Sequence, residues 1–380
     1  TQSIFMLIYY YTYTGVIKLS AKLYINTNNI KNNINYIKSI IKPSTNIIAM
    51  VKANAYGCGA IEISHLLEEI GITDFGVALV SEGVKLRESG ITSNILVTSQ
   101  YLENDFENII KYNLIVSTSN IELSTKLNEY AKSHFKKVKI HIKVDTGMTR
   151  LGFNMDNIFD NINYIKENCT NLIIDGIYTH LSCADTNHEY TIKQLQQFDN
   201  IINKLQSQGY KFNYIHALNS AGILKYQAFQ YTHVRSGILI YGYMPDKSIK
   251  NNNIKACLIL KAPIIRINKI KKDSLVSYGG TYIAKSGTKL ATIQIGYADG
   301  LPRFCSNKYS VCINDQECSI VGNICMDMCM IDITNIKTEI KIGDEVTIFK
   351  NENDIQLIAD LTNTINYEII SKLSDRIERI

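Results

Sequence analysis

From about Asn46 onward the chain alternates short apolar runs with longer stretches in which apolar residues recur at helical spacing. The short runs predict strands over Ile47–Lys52, Phe75–Leu79, Ile95–Thr98, Leu114–Ser117, Val138–Val144, Ile174–His180, Tyr214–Leu218 and Val234–Tyr241. Each of the first seven is followed by helical spacing, as in Ile61–Leu67 and Ile192–Phe198. Eight βα-like units over roughly 200 residues predict an α/β chain folded as a (β/α)8 TIM barrel rather than an open doubly wound sheet. No G-x-G-x-x-G follows a strand, which argues against a dinucleotide site. After Gly242 helical spacing largely gives way to alternating runs such as Ile264–Asn268 and Leu290–Ile295, punctuated by turn residues. This texture predicts a mostly β C-terminal domain with a short helix near Asn366–Leu373. The expected organisation is an N-terminal extension of unknown role over residues 1–20, a barrel over 21–243 and the β domain over 244–380. The barrel segment's first strand, at about 21–26, is expected to pair with the β domain.

Composition narrows the class. Of 380 residues, 46% are hydrophobic and 20% charged, enough for a large core in a soluble chain. The formal net charge of +5 is small for this length and forms no basic block, so nucleic acid is not an expected partner. Nine cysteines without a C-x-x-C pair fit free thiols in a reducing cytoplasm. His180, Cys183 and His188 match no strong zinc spacing, and no metal is expected. Ile4–Tyr11 is apolar and aromatic, yet too short to span a bilayer and without a basic n-region, so no membrane role is expected.

The chemistry begins at Lys52. The run Ala49-Met50-Val51 delivers a lysine at the end of a buried strand and then breaks into the turn Ala53-Asn54-Ala55-Tyr56-Gly57. A lysine there is costly unless its amine is used. It either forms a Schiff base with a carbonyl cofactor such as pyridoxal 5'-phosphate (PLP) or snorkels to the surface. In a barrel, functional residues lie at the C-terminal strand ends. Polar groups gather at those ends: Lys52 and Tyr56, Lys143, Asp145 and Arg150, Tyr178 to His180, His216, Asn219 and Ser220, and Arg235. A purely structural rim has no need of so many. Ser220 reads as the cap of a short helix whose N–H groups either bind a phosphate or are simply capped. Arg150 and Arg235 either hold cofactor heteroatoms or pair with rim carboxylates.

These residues also carry a family resemblance. Val51-Lys52-Ala53-Asn54-Ala55-Tyr56-Gly57 resembles the cofactor-lysine motif of the alanine racemases, PLP enzymes of fold type III. Lys143-Val144-Asp145-Thr146-Gly147-Met148 with Arg150-Leu151-Gly152, Asp175 to His180, Asn219-Ser220 and Arg235-Ser236-Gly237-Ile238 are similar to later blocks. Val276 to Gly279, Gly296 to Gly300, Ile324 to Asp327 and Asn366 to Glu368 resemble the C-terminal ones. The match runs from about residue 21 to the end.

The resemblance implies interconversion of L- and D-alanine, supplying D-alanine for peptidoglycan, by a cytoplasmic bacterial homodimer whose active sites are shared between subunits. It implies that Lys52 holds PLP and serves one face of the substrate, while Tyr278 from the partner subunit serves the other. It implies that His180 and Arg235 tune that tyrosine and the pyridine nitrogen, that Arg150 faces the phenolic oxygen, and that a carbamylated Lys143 orients Arg150. Tyr56, Ser220, Gly237, Ile238 and Tyr367 are implied to bind the phosphate. Met326, Asp327 and Arg150 are implied to lie at the substrate and Tyr297 on its way in. Residue chemistry agrees with two bases, since one cannot easily reach both faces of Cα. Lysine and tyrosine both have ordinary pKa values near 10, so poising either at 7 takes about 4 kcal/mol of bias. An arginine at the pyridine nitrogen leaves that nitrogen unprotonated, a weaker electron sink with fewer side reactions. Cys58, Thr149, Ser236, Asn323, Met328 and Glu378 depart from the family's usual histidine, glycine, proline, arginine, glutamine and proline. None removes a proposed catalytic group. The alternatives are a racemase of another small amino acid such as serine, a PLP decarboxylase of the same barrel type, or a non-catalytic PLP-binding barrel.

Overall fold

A computed structural model describes residues 20–380; all but Ser20 of the expected N-terminal extension lies outside them. Strand β1 (Lys22–Ile25) leads into a helix over Thr27–Ile40, where the Asn26 side chain accepts from Asn29 N–H at 3.0 Å and caps the first turn. Eight strands follow: β2 (Asn46–Met50), β3 (Asp74–Val77), β4 (Asn94–Val97), β5 (Ile115–Thr118), β6 (Val138–Asp145), β7 (Leu172–Tyr178), β8 (Tyr214–His216) and β9 (His233–Ser236). Each pairs parallel with the next, and β9 pairs parallel with β2. The sheet therefore closes into the expected eight-stranded barrel, with helices between strands.

Strand β6 shows why the barrel has a chemical interior. Val138, Ile140, Ile142 and Val144 are buried and alternate with Lys139, His141, Lys143 and Asp145. The apolar set packs outward beneath helices, where each full burial contributes about 1.5 to 3 kcal/mol. The polar set points into the barrel, because His141 bonds in the interior to His216, two strands away. The last expected strand, Val234–Tyr241, is corrected to His233–Ser236. Ile240 N–H returns to Gly237 O at 2.9 Å and Tyr241 N–H to Ile238 O at 3.2 Å, so this apolar stretch is a buried turn. A short apolar run marks burial and does not by itself distinguish strand from turn.

Beyond the barrel, the twelve-residue strand β10 (Leu258–Lys269) organises a mostly β region. It pairs antiparallel with β1, Lys289–Ile293 and Glu345–Phe349. Strand β1 also pairs parallel with Glu378–Arg379, so both ends of the described chain lie in this second sheet. A helix over Glu352–Leu361 was not expected; its polar first turn, Glu352-Asn353-Asp354, disguises the Ile355, Ile358, Ala359 face it buries. No described helix is long and apolar enough to cross a membrane.

Candidate active site

At the C-terminal ends of the barrel strands lies a cavity of about 480 Å³. Lys52, Lys143, Arg150 and Arg235 line it, and no carboxylate does. Four cations share one partly desolvated space, and the consequences are legible in their protonation. Burial lowers the Lys52 amine, and the Arg150 charge lowers it further; Glu82 pulls the other way, and Arg235 adds a smaller lowering. Lys143 is pushed down to about 8, first by burial and then by Arg235, Arg150 and Lys52. Burial brings Arg235 to about 10, which still leaves it a cation at neutral pH. A space of this kind calls for an anion.

The backbone that presents Lys52 is unusual. Ala53, Asn54, Ala55 and Tyr56 have φ of +52°, +54°, +52° and +55°, a left-handed turn built without glycine. Such a conformation costs about 1 to 2 kcal/mol per residue, so neighbouring contacts must hold it. Glu82 is the chief clamp. Its Oε1 accepts from Ala53 N–H at 2.7 Å, while Oε2 accepts from Ala78 and Leu79 N–H at 2.7 and 3.0 Å. Arg379 Nε–H donates to Gly57 O at 3.0 Å from the opposite side. The turn swings Tyr56 back against Gly237, where an added Cβ would lie 2.3 Å from the tyrosine oxygen.

Ser220 does not cap its helix. Asn219 does, accepting from Gly222 N–H at 2.9 Å, and Ser220 Oγ instead accepts from Gly237 N–H at 3.1 Å. Its own hydroxyl hydrogen is thereby left for the cavity, beside Tyr56 and Tyr367. Arg235 is fixed from several sides. Its Nη2 donates to the carbonyls of Thr179 and Ala217, both at 2.8 Å, and approaches His180 Nδ1 at 3.2 Å, while Nη1 donates to His216 Nδ1 at 2.6 Å. Among the described residues its Nε–H finds no hydrogen-bond partner. Arginine has only donors, so both contacted imidazole nitrogens accept, and each neutral ring carries its proton on Nε2. Burial and the surrounding cations hold His180 and His216 well below the ordinary histidine range.

The cavity thus gathers Lys52, Tyr56, Lys143, Arg150, His180, Ser220, Arg235, Gly237 and Tyr367, with Ile238 fully buried behind Gly237. It does not gather Tyr278, Tyr297, Met326 or Asp327. Tyr278 is 72% exposed on the β region, Met326 53% and Tyr297 43%, and Asp327 accepts from Arg376 at 2.8 Å. Among the family departures, Thr149 sits at φ +56°, a position that suits glycine. Ser236 Oγ is buried without a partner, and Asn323 Nδ2 donates to Tyr278 O at 2.7 Å. Cys58 is fully buried with its thiol raised by burial and by Cys257. All nine cysteines are unpaired, and the described residues contain no group of three or more potential metal ligands. Sequence reasoning passed over Glu82 and the role of His216. His216 stood in the sequence only as one of the polar groups near the strand ends, and nothing local marked Glu82.

The family model described as "Alanine racemase, N-terminal domain" matches residues 25–245, and "Alanine racemase, C-terminal domain" matches 257–380. An alanine racemase of Clostridium perfringens is 37% identical over 360 residues, covering 92% of each chain. One of Helicobacter pylori is 35% identical over 379 residues, covering 96% of this chain and all of its own. Among solved structures, alanine racemase of Clostridium difficile 630 superposes with a TM-score of 0.91 at 33% identity, covering 96% of each chain. The Bartonella henselae enzyme with covalently bound pyridoxal phosphate superposes at 0.84 with 29% identity, over 95% of this chain and 99% of that one.

Proposed function

The chain belongs to the alanine racemase family and is an amino-acid racemase, and from that premise we propose a two-base mechanism with PLP at Lys52 and a site completed by a second copy of the chain. The observation that carries this reading is the four-cation, carboxylate-free cavity around a lysine of lowered basicity. That donor set fits PLP, which brings a phosphate, a phenolic oxygen and a carbonyl for the amine. When bound, PLP supplies an electron-poor ring that takes up the charge left at Cα.

Tyr56, Ser220, Tyr367 and the backbone of Gly237 and Ile238 bind the phosphate; the close approach of Tyr56 to Gly237 leaves no room for a side chain at 237. Arg235 would hold the pyridine nitrogen through its Nε–H and, remaining a cation, would keep a proton off it. Arg150 faces the phenolic oxygen and the substrate carboxylate. Lys143, with a pKa near 8, has a reactive neutral fraction at neutral pH. Carbamylation joins carbon dioxide to the neutral amine with release of one proton; with the proton the ammonium has already shed, two leave in all, and a surplus positive charge becomes a negative one beside Arg150.

Lys52 Nζ takes or returns the α-proton on one face. Its lowered pKa reduces the free energy needed to hold it neutral and ready. Tyr278 of a second copy takes or returns the proton on the other face. His180, held as the Nε2–H tautomer by Arg235, donates to the phenolic oxygen and stabilises its anion. The hairpin Ser274–Ala284 supports assembly: Leu275, opposite Ile283, is 70% exposed, Ile283 is 54% exposed, and both accompany Tyr278. Met326, Asp327 and Tyr297 approach the substrate from that same copy. The enzyme works in the cytoplasm, where its nine thiols stay reduced, and feeds D-alanine to peptidoglycan. The test is incubation of the purified chain with PLP and L-alanine, with L-serine in parallel, read by chiral chromatography. D-alanine with little D-serine is expected. No turnover of either refutes the proposal, and faster serine turnover reassigns the substrate.

A further inference from the structure

We infer that His141 is a positioning residue for Arg235: inside the barrel, from two strands away, it accepts the one hydrogen bond that holds the His216 tautomer on which Arg235 rests. The inference deepens the reading of Arg235 given above and depends on it. His141 Nδ1 lies 3.1 Å from His216 Nε2, and His216 Nδ1 lies 2.6 Å from Arg235 Nη1. The direction of all these protons follows from one end. Arg235 has no acceptor, so His216 Nδ1 must accept and the neutral ring must carry its hydrogen on Nε2. Among the described residues that hydrogen has only His141 Nδ1 as a partner, which must accept in turn. His141 is therefore protonated on Nε2, and this nitrogen is buried with no partner. Burial, with smaller effects from His233, Lys139 and Arg235, holds the His141 imidazole down to about 3, so it stays neutral.

A residue present only to fill the core would not leave a buried N–H unpaired, a cost that an apolar ring of similar size avoids. The barrel also makes specific room for this ring. Strand β7 places Gly176 beside it, and a Cβ there would lie 2.8 and 2.9 Å from His141 Cδ2 and Cγ. His216 is stacked on Tyr178 at 4.6 Å, with the rings 15° apart, so it can rotate little without losing that contact. Without an acceptor at 141, the His216 Nε2–H is buried unpaired, and the alternative tautomer sets an N–H against Arg235. Either outcome loosens the guanidinium that keeps the cofactor's ring nitrogen unprotonated.

The test compares His141→Leu, which removes the acceptor, with His141→Gln, whose amide oxygen can restore it. For the leucine variant we expect kcat to fall roughly tenfold with KM within about twofold, as the loss of one supporting hydrogen bond allows. We also expect more amino-group transfer to the cofactor per racemisation and an altered absorbance of the bound cofactor. The glutamine variant should return all three to within about threefold of the parent. A leucine variant matching the parent, or a glutamine variant as impaired as leucine, overturns the inference. A second measurement needs neither variant nor cofactor: in ¹⁵N-histidine-labelled protein, His216 should show an unprotonated Nδ1 and a protonated Nε2. The reverse tautomer overturns the inference. Parent protein that shows the expected tautomer but neither binds PLP nor racemises alanine refutes the proposed function instead.

Discussion

At the scale of single residues, the account turns on Lys52. Its place at a strand end was legible in sequence, where an apolar run ends in one lysine, but that run fits a snorkelling amine as well as a bound one. Its environment was not legible, because Lys143 and Arg150 at one strand end and Arg235 at another meet Lys52 only when the barrel closes. Lys52→Ala should abolish the visible absorbance of lysine-bound PLP and all racemisation; a band that persists assigns the cofactor to another lysine. The same limit hid the histidine chain. His141 and His216 are 75 residues apart, and only the register of β6, β7 and β8 brings them together.

At the scale of elements, alternation and apolar runs located all eight barrel strands, because each strand buries one face under helices whatever its partners. Boundaries were less legible where buried turns are as apolar as strands, as at Gly237–Tyr241. The left-handed turn over Ala53–Tyr56 was barely visible, since alanine and tyrosine carry no signal for positive φ and the single asparagine among them marks one position, not four. Glu82 holds that turn through one carboxylate oxygen and the next loop through the other. Glu82→Gln leaves a single acceptor for the two loops, a loss of about 1 to 3 kcal/mol. We expect weaker PLP binding, measured by fluorescence titration, with a smaller fall in the melting temperature of the cofactor-free protein. Unchanged affinity would show that the turn does not need its clamp.

For the whole molecule, the interior histidines set a direction for stability against pH. His141, His180 and His216 are all held below the ordinary histidine pKa of 6.5, chiefly by burial. Above pH 6.5 neither the folded nor the unfolded chain protonates them. As pH falls below 6.5 the unfolded chain takes up protons that the folded chain refuses, so stability is lost. For His141, held down to about 3, the loss by pH 5 is about 2 kcal/mol, and His180 and His216 act in the same direction. Chemical denaturation at pH 7 and pH 5 should show this decline, and His141→Gln should make it shallower; equal stability at both pH values would contradict the burial of neutral rings. What a single chain cannot display is a complete site, because Tyr278 stands 72% exposed and lines none of the cavity. The most direct measurement of the central claim is therefore complementation. Lys52→Ala and Tyr278→Phe proteins are each assayed for L-alanine racemisation, then mixed, allowed to exchange subunits and assayed again. Each alone should be nearly inactive, and random exchange should restore about one quarter of the parent activity, because half the dimers then carry one intact site. A mixture no more active than its parts would contradict a site shared between two copies of the chain.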